Sequence, residues 1–191
     1  MATWRLDTPT KILDTAEELA QVRGFNGFSY GDVAERVGLT TAALHYHFPS
    51  KAELGVALMA RYAERFAAAL AAAEARLDDE HELLTAYGGL YAGVLRGERM
   101  CLCGMLAAEY DTLPEPLRGA VLRFFDDSET WLEAVLERGR LRGKLAFEGP
   151  AREAARLIVS GLEGAMLVAR PYRDPERYQA AARRLLAAFE I

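Results

Sequence analysis

The hydrophobic pattern divides the first 50 residues into three short helical segments. Apolar residues recur at three- and four-residue spacing between Ile12 and Ala20, which is the spacing of one helix face. Capping and turn residues bound each segment, because Ser, Thr and Asp accept hydrogen bonds in the first turn and glycine ends a helix. The predicted helices run from a Thr8 cap to near Gly24, from a Ser29 cap answered by Asp32 to Gly38, and from a Thr40 cap to about His47.

A longer helical pattern begins directly after Pro49, which blocks continuation of the third helix. Ser50 and Glu53 form an S-x-x-E capping box, and the pattern continues without a break to about residue 77. Glycine and proline divide the remainder of the chain into five further segments. The sequence therefore predicts an all-α protein, with the later helices at about residues 80–95, 101–113, 116–142, 150–170 and 174–190.

The segment YGDVAERVGLTTAALHYHF, which starts at Tyr30, has the layout of a helix-turn-helix unit. Such a unit needs a small residue where the helices touch, a turn residue that tolerates positive φ and an apolar anchor on the second helix. Ala34, Gly38 and Leu44 meet these needs in turn. Many helical hairpins share a glycine turn, so packing alone is the commoner explanation when this layout is taken by itself.

A helical wheel of the third helix separates an inward stripe from an outward face. Leu44 and Phe48 lie one turn apart and face inward, whereas Ala42, Ala43 and Tyr46 fall on the opposite side. Small side chains let a helix sit deep in the major groove of DNA, and Thr and Ala methyl groups suit the thymine methyl. The pattern therefore predicts a DNA-reading face, which is edged by Thr41, His45 and His47.

Composition and charge describe a soluble globular chain, since 51% of its residues are hydrophobic, 27% are charged and the net charge is −5. This balance gives no general indication of nucleic acid. No Lys or Arg occurs between residues 37 and 50, so the predicted reading helix lacks an arginine fork for guanine. Phosphate contacts must then come from helix N-termini, neutral donors and one lysine: Ser29, Tyr30, Thr40, Tyr46 and Lys51.

Targeting and redox features are few. No apolar run approaches the roughly 18 residues that span a membrane, and the first residues lack a secretory pattern, so we expect a cytoplasmic location. Cys101 and Cys103 are separated by one residue and are expected to stay thiols. No cofactor is expected.

Residues from about Ile12 to Leu58 resemble the DNA-binding domain of the TetR/AcrR family of transcriptional regulators. The resemblance rests on ILDTAEELAQVRGF, on DVAERVGLT and above all on LHYHFPSKAELG, where aromatic–His–Phe–x–x–Lys follows a short capped helix. It implies a helix-turn-helix DNA-binding domain at residues 1–50 and a larger helical ligand-binding and dimerisation domain at residues 51–191. It also implies repression that a small ligand relieves.

The resemblance also assigns positions. It implies that Thr40, Thr41, Ala42 and Tyr46 face DNA and that Lys51 contacts a phosphate. Family members often have Tyr where this chain has His45, so one customary hydroxyl is absent, although histidine can also donate. The absence of Lys or Arg at position 41 leaves the operator sequence open.

The two histidines of the LHYHF segment do not make a metal site. His45 and His47 are roughly 200° apart on a helix and cannot share an ion as an i, i+4 pair does. No carboxylate or cysteine lies close in sequence, and no nucleophile or acid is placed for catalysis. We expect His45 to contact the DNA backbone and His47 to pack beside Phe48.

Aromatic and methionine residues of the C-terminal part are possible pocket residues, although residues of this kind at helical spacing are usually plain core. Glu109 and Glu163 interrupt apolar segments, and each either orients a ligand or pairs with an arginine in the core. The predicted ligand-binding residues are Tyr87, Tyr91, Cys101, Met105, Glu109, Trp131, Glu163 and Met166.

Cys101 raises a second hypothesis. It lies at a predicted helix start near Arg96 and Arg99, and both features favour a thiolate. Some members of the resembled family sense electrophiles or oxidants through a cysteine in this region. A buried, inert cysteine is the more common alternative.

Small residues along 150–170 allow close approach of another helix, and the resemblance implies a dimeric four-helix bundle from 150–170 and 174–190. A two-fold dimer prefers a near-palindromic DNA operator. The sequence therefore predicts a homodimeric, ligand-responsive repressor rather than an enzyme. An enzyme that uses Glu109, Cys101 or His81 and a helical adaptor that binds protein are the rival hypotheses.

Overall fold

The computed structural model describes residues 7–190, and α-helices make up most of this part of the chain. Short 3₁₀ turns follow the sixth, eighth and ninth helices. Extended pairing within residues 7–190 is limited to an isolated antiparallel bridge between Leu145 and Glu190. The predicted all-α class is confirmed. The α-helices of the described residues are α1 (Thr8–Arg23), α2 (Tyr30–Val37), α3 (Thr41–His47), α4 (Lys51–Glu74), α5 (Glu80–Arg96), α6 (Leu102–Ala108), α7 (Glu115–Leu141), α8 (Ala151–Ala169) and α9 (Pro175–Leu186).

Local capping chemistry sets the start of α2 and α3, as the sequence predicts. Ser29 and Asp32 form a reciprocal capping box at the start of α2. The Thr40 side chain accepts a hydrogen bond from the Ala43 N–H at 3.2 Å at the start of α3. Between these helices Gly38 has a φ of 70°, in the left-handed region that glycine enters without steric cost. These contacts confirm the predicted helix–turn–helix connection.

Some predicted helix ends are wrong by a few residues. The cap of α1 is Asp7 rather than Thr8, because the Asp7 carboxylate accepts the Thr10 N–H and also favours the positive end of the helix dipole. The predicted helix at 101–113 ends as an α-helix at Ala108, and a 3₁₀ turn at Tyr110–Thr112 carries the chain to Pro114. The tighter turn leads into the extended backbone that precedes the next helix.

The described residues form two compact units. The first contains the chain up to Tyr62 together with Leu102–Val121, and the second contains Ala63–Cys101 together with the chain from Leu122 onward. Helices α4 and α7 contribute residues to both units. The functional boundary at residue 50 remains a prediction.

Helices α5, α8 and α9 pack together in the second unit. The buried Tyr178 hydroxyl on α9 donates to the Gly88 carbonyl on α5 at 2.7 Å. A Cβ atom at Gly161 on α8 would lie only 2.6 Å from the end of the Leu185 side chain on α9, so the two helices approach closely at this glycine. The small residues predicted to allow close helix packing do so within the chain.

No helix of residues 7–190 is long and apolar enough to cross a membrane.

Candidate nucleic-acid interface and ligand cavity

Helix α3 is anchored by Leu44, which is fully buried, while its opposite face is open to solvent. Tyr46 is 85% exposed and is the most prominent apolar group of this face. The helical-wheel prediction is confirmed for inward Leu44 and outward Tyr46, whereas Ala43, predicted outward, and Phe48, predicted inward, are both half-buried. The exposed residues at and beside the start of α3 are Thr40, Thr41, Ala42, His45 and Tyr46.

Tyr30 and His45 hold the segment that links α3 to α4. The Tyr30 hydroxyl donates to the Phe48 carbonyl at 2.7 Å, and burial together with the nearby Glu53 raises the pKa of Tyr30 to about 12. The Nδ1 atom of His45 lies 3.0 Å from the Pro49 carbonyl, and its ring packs 4.6 Å from that of Tyr30 between centroids. Because a carbonyl only accepts, this contact uses a protonated Nδ1. A neutral imidazole carries a proton on one nitrogen only, so the other nitrogen of His45, Nε2, donates only when the ring is an imidazolium.

Lys51 opens α4, and its ammonium faces the loop of residues 24–28 between α1 and α2. Its Nζ atom donates to the Phe25 carbonyl at 2.6 Å and also to the Phe28 carbonyl. The same atom lies 4.7 Å and 4.4 Å from the centroids of the Phe25 and Phe28 rings. Burial lowers the pKa of Lys51, and the opposite charges of Glu109 and Asp32 counteract this effect. The lysine predicted for phosphate therefore uses two of its N–H groups to fix a loop.

Glu109, which follows α6, holds the N–H groups of the same loop. Its Oε2 atom accepts the Phe25 N–H at 2.6 Å, and both carboxylate oxygens lie 3.3 Å from the Asn26 nitrogen. Gly24 has a φ of 85°, and a Cβ atom there would lie 2.6 Å from Glu109 Oε1, so the loop backbone approaches closely because residue 24 is glycine. We call the grip of Lys51 and Glu109 on residues 24–28 the loop clamp. Sequence reasoning missed it, because 84 residues separate Glu109 from Phe25.

This role changes the assignment of Glu109. Its carboxylate is engaged with backbone N–H groups of the first unit, and neither of the sequence alternatives, a ligand or a core arginine, describes that contact. Met105 also belongs to the first unit. The structure does not group either residue with the remaining predicted pocket residues, which all lie in the second unit: Tyr87, Tyr91, Cys101, Trp131, Glu163 and Met166.

An aromatic cluster surrounds Tyr87 in the second unit. Trp131 stacks on Tyr87 with centroids 5.8 Å apart, and the Tyr87 and Tyr91 hydroxyl oxygens are 3.1 Å apart. Phe66 of α4 contacts both tyrosines edge-on, at 5.7 Å and 6.1 Å between centroids. Burial raises the pKa values of both tyrosines, so both stay neutral hydrogen-bonding groups. Phe66 was missed in the sequence because it lies in an alanine-rich helix with no polar signal beside it.

A second polar contact region joins α8 to the residue before α6. The Cys101 N–H donates to the Met166 sulfur at 3.1 Å, and Cys101 is 1% exposed. Burial, followed by the interaction with Cys101, raises the pKa of Glu163 well above its ordinary value, which favours the neutral acid. The Glu163 Oε1 atom is buried without a hydrogen-bond partner. Cys103 is also buried, with its sulfur 3.9 Å from that of Met59.

A cavity of about 230 Å³ opens beside the aromatic cluster, between α4 and α7. Its walls are apolar and aromatic, with a few polar groups such as Ser128 and Asp127. The indole Nε1 of Trp131 is buried and has no hydrogen-bond partner. An unpaired buried N–H is costly to the folded state.

Within residues 7–190 no group of three or more His, Cys, Asp or Glu side chains is arranged to hold a metal ion. The exposed face of α3 and the glycine turn at Gly38 agree with the matches to known families. A family model described as bacterial regulatory proteins, tetR family, matches residues 12–58. A second, described as the tetracyclin repressor-like C-terminal domain, matches residues 94–185. The chain belongs to the TetR family.

Individual relatives of this TetR-family protein match over nearly its whole length. The HTH-type transcriptional repressor NemR of Escherichia coli K12 is 28% identical over 177 residues, which is 89% of this chain and 87% of NemR. The structure of a TetR-family transcriptional regulator from Agrobacterium tumefaciens is 36% identical with a TM-score of 0.92, and the match covers 96% of this chain and 97% of that one. The reduced form of E. coli NemR gives a TM-score of 0.82 at 26% identity, over 96% and 97% of the two chains. The protein is therefore a DNA-binding transcriptional regulator.

Proposed function

We propose that this TetR-family regulator is a homodimeric cytoplasmic repressor that leaves a near-palindromic operator when a small-molecule inducer binds. The observation that carries the proposal is the open face of α3 above the buried Leu44, with Tyr46 85% exposed. Similarity to NemR, which is named a transcriptional repressor, favours repression over activation.

The operator contacts that we propose are made by the side chains that are exposed to solvent and do not hold the backbone of the domain. Thr40, Thr41, Ala42 and Tyr46 are exposed and present methyl groups, hydroxyls and an aromatic ring to the major groove. Ser29 caps the start of α2 next to this surface. Tyr30 and Lys51 act chiefly by positioning, because their polar hydrogens hold backbone carbonyls of the domain. Since no Arg or Lys lies on the reading face, methyl contacts and DNA shape select the sequence.

The proposed dimer uses α8 and α9. One face of α8 exposes large apolar side chains that the single chain leaves uncovered: Leu157, Leu167 and Val168 are 57%, 60% and 55% exposed. Ser160 and Gly164 lie on the same face, and a Cβ atom at Gly164 would meet nothing within 4 Å. A stripe of this kind suits a second copy of the chain, whose identical face can pack closely against it. Such a dimer would set its two reading helices about 34 Å apart.

We propose the cavity beside Trp131 as the inducer site. Its volume of about 230 Å³ and its aromatic walls suit a compact apolar molecule. Helix α4 carries both Phe66, in the aromatic cluster, and Lys51, in the loop clamp. An inducer that binds one arrangement of α4 better than another shifts the population toward it.

A gel-shift experiment with the DNA upstream of the protein's own gene tests the proposal. Tyr46→Ala should weaken specific binding by about tenfold, since aromatic interface residues dominate recognition. Tyr172→Ala is the matched control, because Tyr172 is 61% exposed but lies outside the first unit. Equal affinity of the Tyr46→Ala variant and the wild type, or binding that does not depend on DNA sequence, would refute the proposed reading face.

Thiol sensing through Cys101 is kept as a second hypothesis, since the similar NemR structure is described as a reduced form. With Cys101 only 1% exposed, a reagent needs an opening of the second unit to reach it. Mass spectrometry after mild N-ethylmaleimide treatment, followed by a gel shift, tests this. An unmodified Cys101, or a modified one with intact DNA binding, eliminates the hypothesis.

A further inference from the structure

A groove of about 590 Å³ lies between α5 and α9 in the second unit. Its floor is formed by glycine and alanine positions of α5 and by tyrosine, alanine and leucine residues of α9. A Cβ atom at Gly89 would meet nothing within 4 Å, so the space above α5 is unfilled there. The residues that form the floor are Gly88, Gly89, Ala92, Tyr178, Ala182 and Leu186.

The rim of this groove is basic. Arg96 of α5 and Arg183 of α9 are both exposed, and neither is in an ion pair with any residue of the described chain, 7–190. Thr85 and Gln179 add neutral hydrogen-bonding groups. The acidic lining residue, Glu190, already pairs with His81. The groove therefore offers one ligand an apolar surface and a net positive charge, since two arginines face a single carboxylate.

This groove is separate from the two surfaces proposed above. On α9 the groove uses Gln179 and Arg183, whereas Ala180, Ala181 and Arg184 lie on a different exposed side of the helix. A dimer face on α8 and on that other side of α9 leaves the groove open. The cavity beside Trp131 lies between α4 and α7 and shares no lining residue with it.

We propose that the α5–α9 groove is a second small-molecule site, which binds an amphipathic carboxylic acid. The apolar body lies on the floor between the helices, and the carboxylate pairs with the arginines of the rim. Guanidinium matches a carboxylate in both charge and hydrogen-bond geometry. The inference does not depend on repression, on the operator or on the inducer cavity.

Isothermal titration of the full chain with octanoate tests the proposal, with octan-1-ol as the uncharged probe of equal chain length. Gly89→Leu fills the groove with a side chain that meets no neighbour at its Cβ, and Ala68→Leu is its control at an exposed small residue of α4 outside the lining. Arg183→Gln removes the charge, and Arg123→Gln is the control at an exposed arginine of α7.

We expect Gly89→Leu to weaken the binding of both probes, and Arg183→Gln to weaken octanoate about tenfold while leaving octan-1-ol unchanged. Added salt should weaken octanoate alone. The two control variants should bind as the wild type does. No octanoate binding by the wild type, or octanoate binding that Gly89→Leu and Arg183→Gln leave within twofold of their controls, overturns the proposal. Unchanged thermal unfolding of each variant ensures that these outcomes concern the groove and not the fold.

Discussion

The loop clamp gives the sharpest prediction, because one side chain, Glu109, satisfies backbone groups of a segment far away in sequence. The change is Glu109→Ala, which leaves the Phe25 N–H without an acceptor. Phe25 is 4% exposed, so water does not readily replace the lost oxygen. The loop that Glu109 holds connects α1 to α2, and α2 is the first helix of the helix-turn-helix unit. We therefore expect both lower stability and weaker DNA binding.

The magnitude follows from the two contacts of the Glu109 carboxylate. A hydrogen bond to a charged group contributes about 1.5–3 kcal/mol, and the 2.6 Å bond to the buried Phe25 N–H should lie within that range. The contacts with the exposed Asn26 N–H are 3.3 Å long and should add less than about 1 kcal/mol. Glu109→Ala should therefore cost about 2–3 kcal/mol. Glu109→Gln keeps one oxygen and should cost about 1 kcal/mol.

Urea unfolding and a gel shift on the same preparations measure the two effects. Asp111→Ala is the matched control, since Asp111 is an exposed acid two positions along the chain. If Glu109→Ala and Asp111→Ala have the same free energy of unfolding and the same DNA affinity, the loop clamp makes no contribution and the reasoning is refuted.

A double-mutant cycle at Gly24 strengthens the test. In the wild type, Gly24→Ala places a Cβ atom 2.6 Å from Glu109 Oε1 and also forces a φ of 85° on a non-glycine residue. In the Glu109→Ala background only the φ strain remains. The cost of Gly24→Ala should therefore fall by about 1 kcal/mol or more in that background. Strictly additive costs would show that the carboxylate does not lie against the loop.

Three further predictions concern single charges and the operator. Burial raises the folded-state pKa of Glu163, so its stabilising contribution is complete below the ordinary value of 4.5 and is lost as pH rises toward the folded pKa. The free energy of unfolding of Glu163→Gln, measured by urea titration, should therefore rise relative to that of the wild type between pH 5 and pH 8, by at most about 1.4 kcal/mol per pH unit. The control variant Glu153→Gln, at an exposed acid, should show no such trend. Glu80 is fully buried among guanidinium groups, one of them 2.8 Å away. Glu80→Ala should therefore lower the free energy of unfolding by about 1–3 kcal/mol in the same assay. Glu82→Ala, at an exposed acid, should lower it much less. Finally, operator affinity should fall with salt with a log–log slope shallower than about −5, because few cations face the DNA, and a steeper slope would contradict the proposed contact set.

Local sequence signals predicted the elements of the reading head well. A cap acts within three or four residues of the helix that it starts, so the Ser29–Asp32 box and the Thr40 cap are readable without the fold. The inward Leu44 and outward Tyr46 follow from helix periodicity in the same way. The start of α1 was misplaced by one residue because Asp7 and Thr8 are both good caps and the pattern alone does not separate them.

The roles of the polar residues were not determined locally. Glu109 and Glu163 look alike in the sequence, since each interrupts an apolar segment. The fold gives Glu109 two backbone N–H partners across 84 residues, and it places Glu163 beside Cys101, where burial raises the pKa of the Glu163 carboxyl. Lys51 likewise meets the Phe25 and Phe28 carbonyls only when α4 packs on the α1–α2 loop.

Local patterns in the chain are enough to predict the helices, the face that α3 turns to solvent and the family to which the motifs point, because each depends on neighbours within about one helical turn. Long-range packing determines which acid grips a loop, which aromatic residues surround the cavity and where a basic groove opens between α5 and α9. Those features join residues far apart in the chain, and the free energy of burying or pairing a charge depends on everything packed around it.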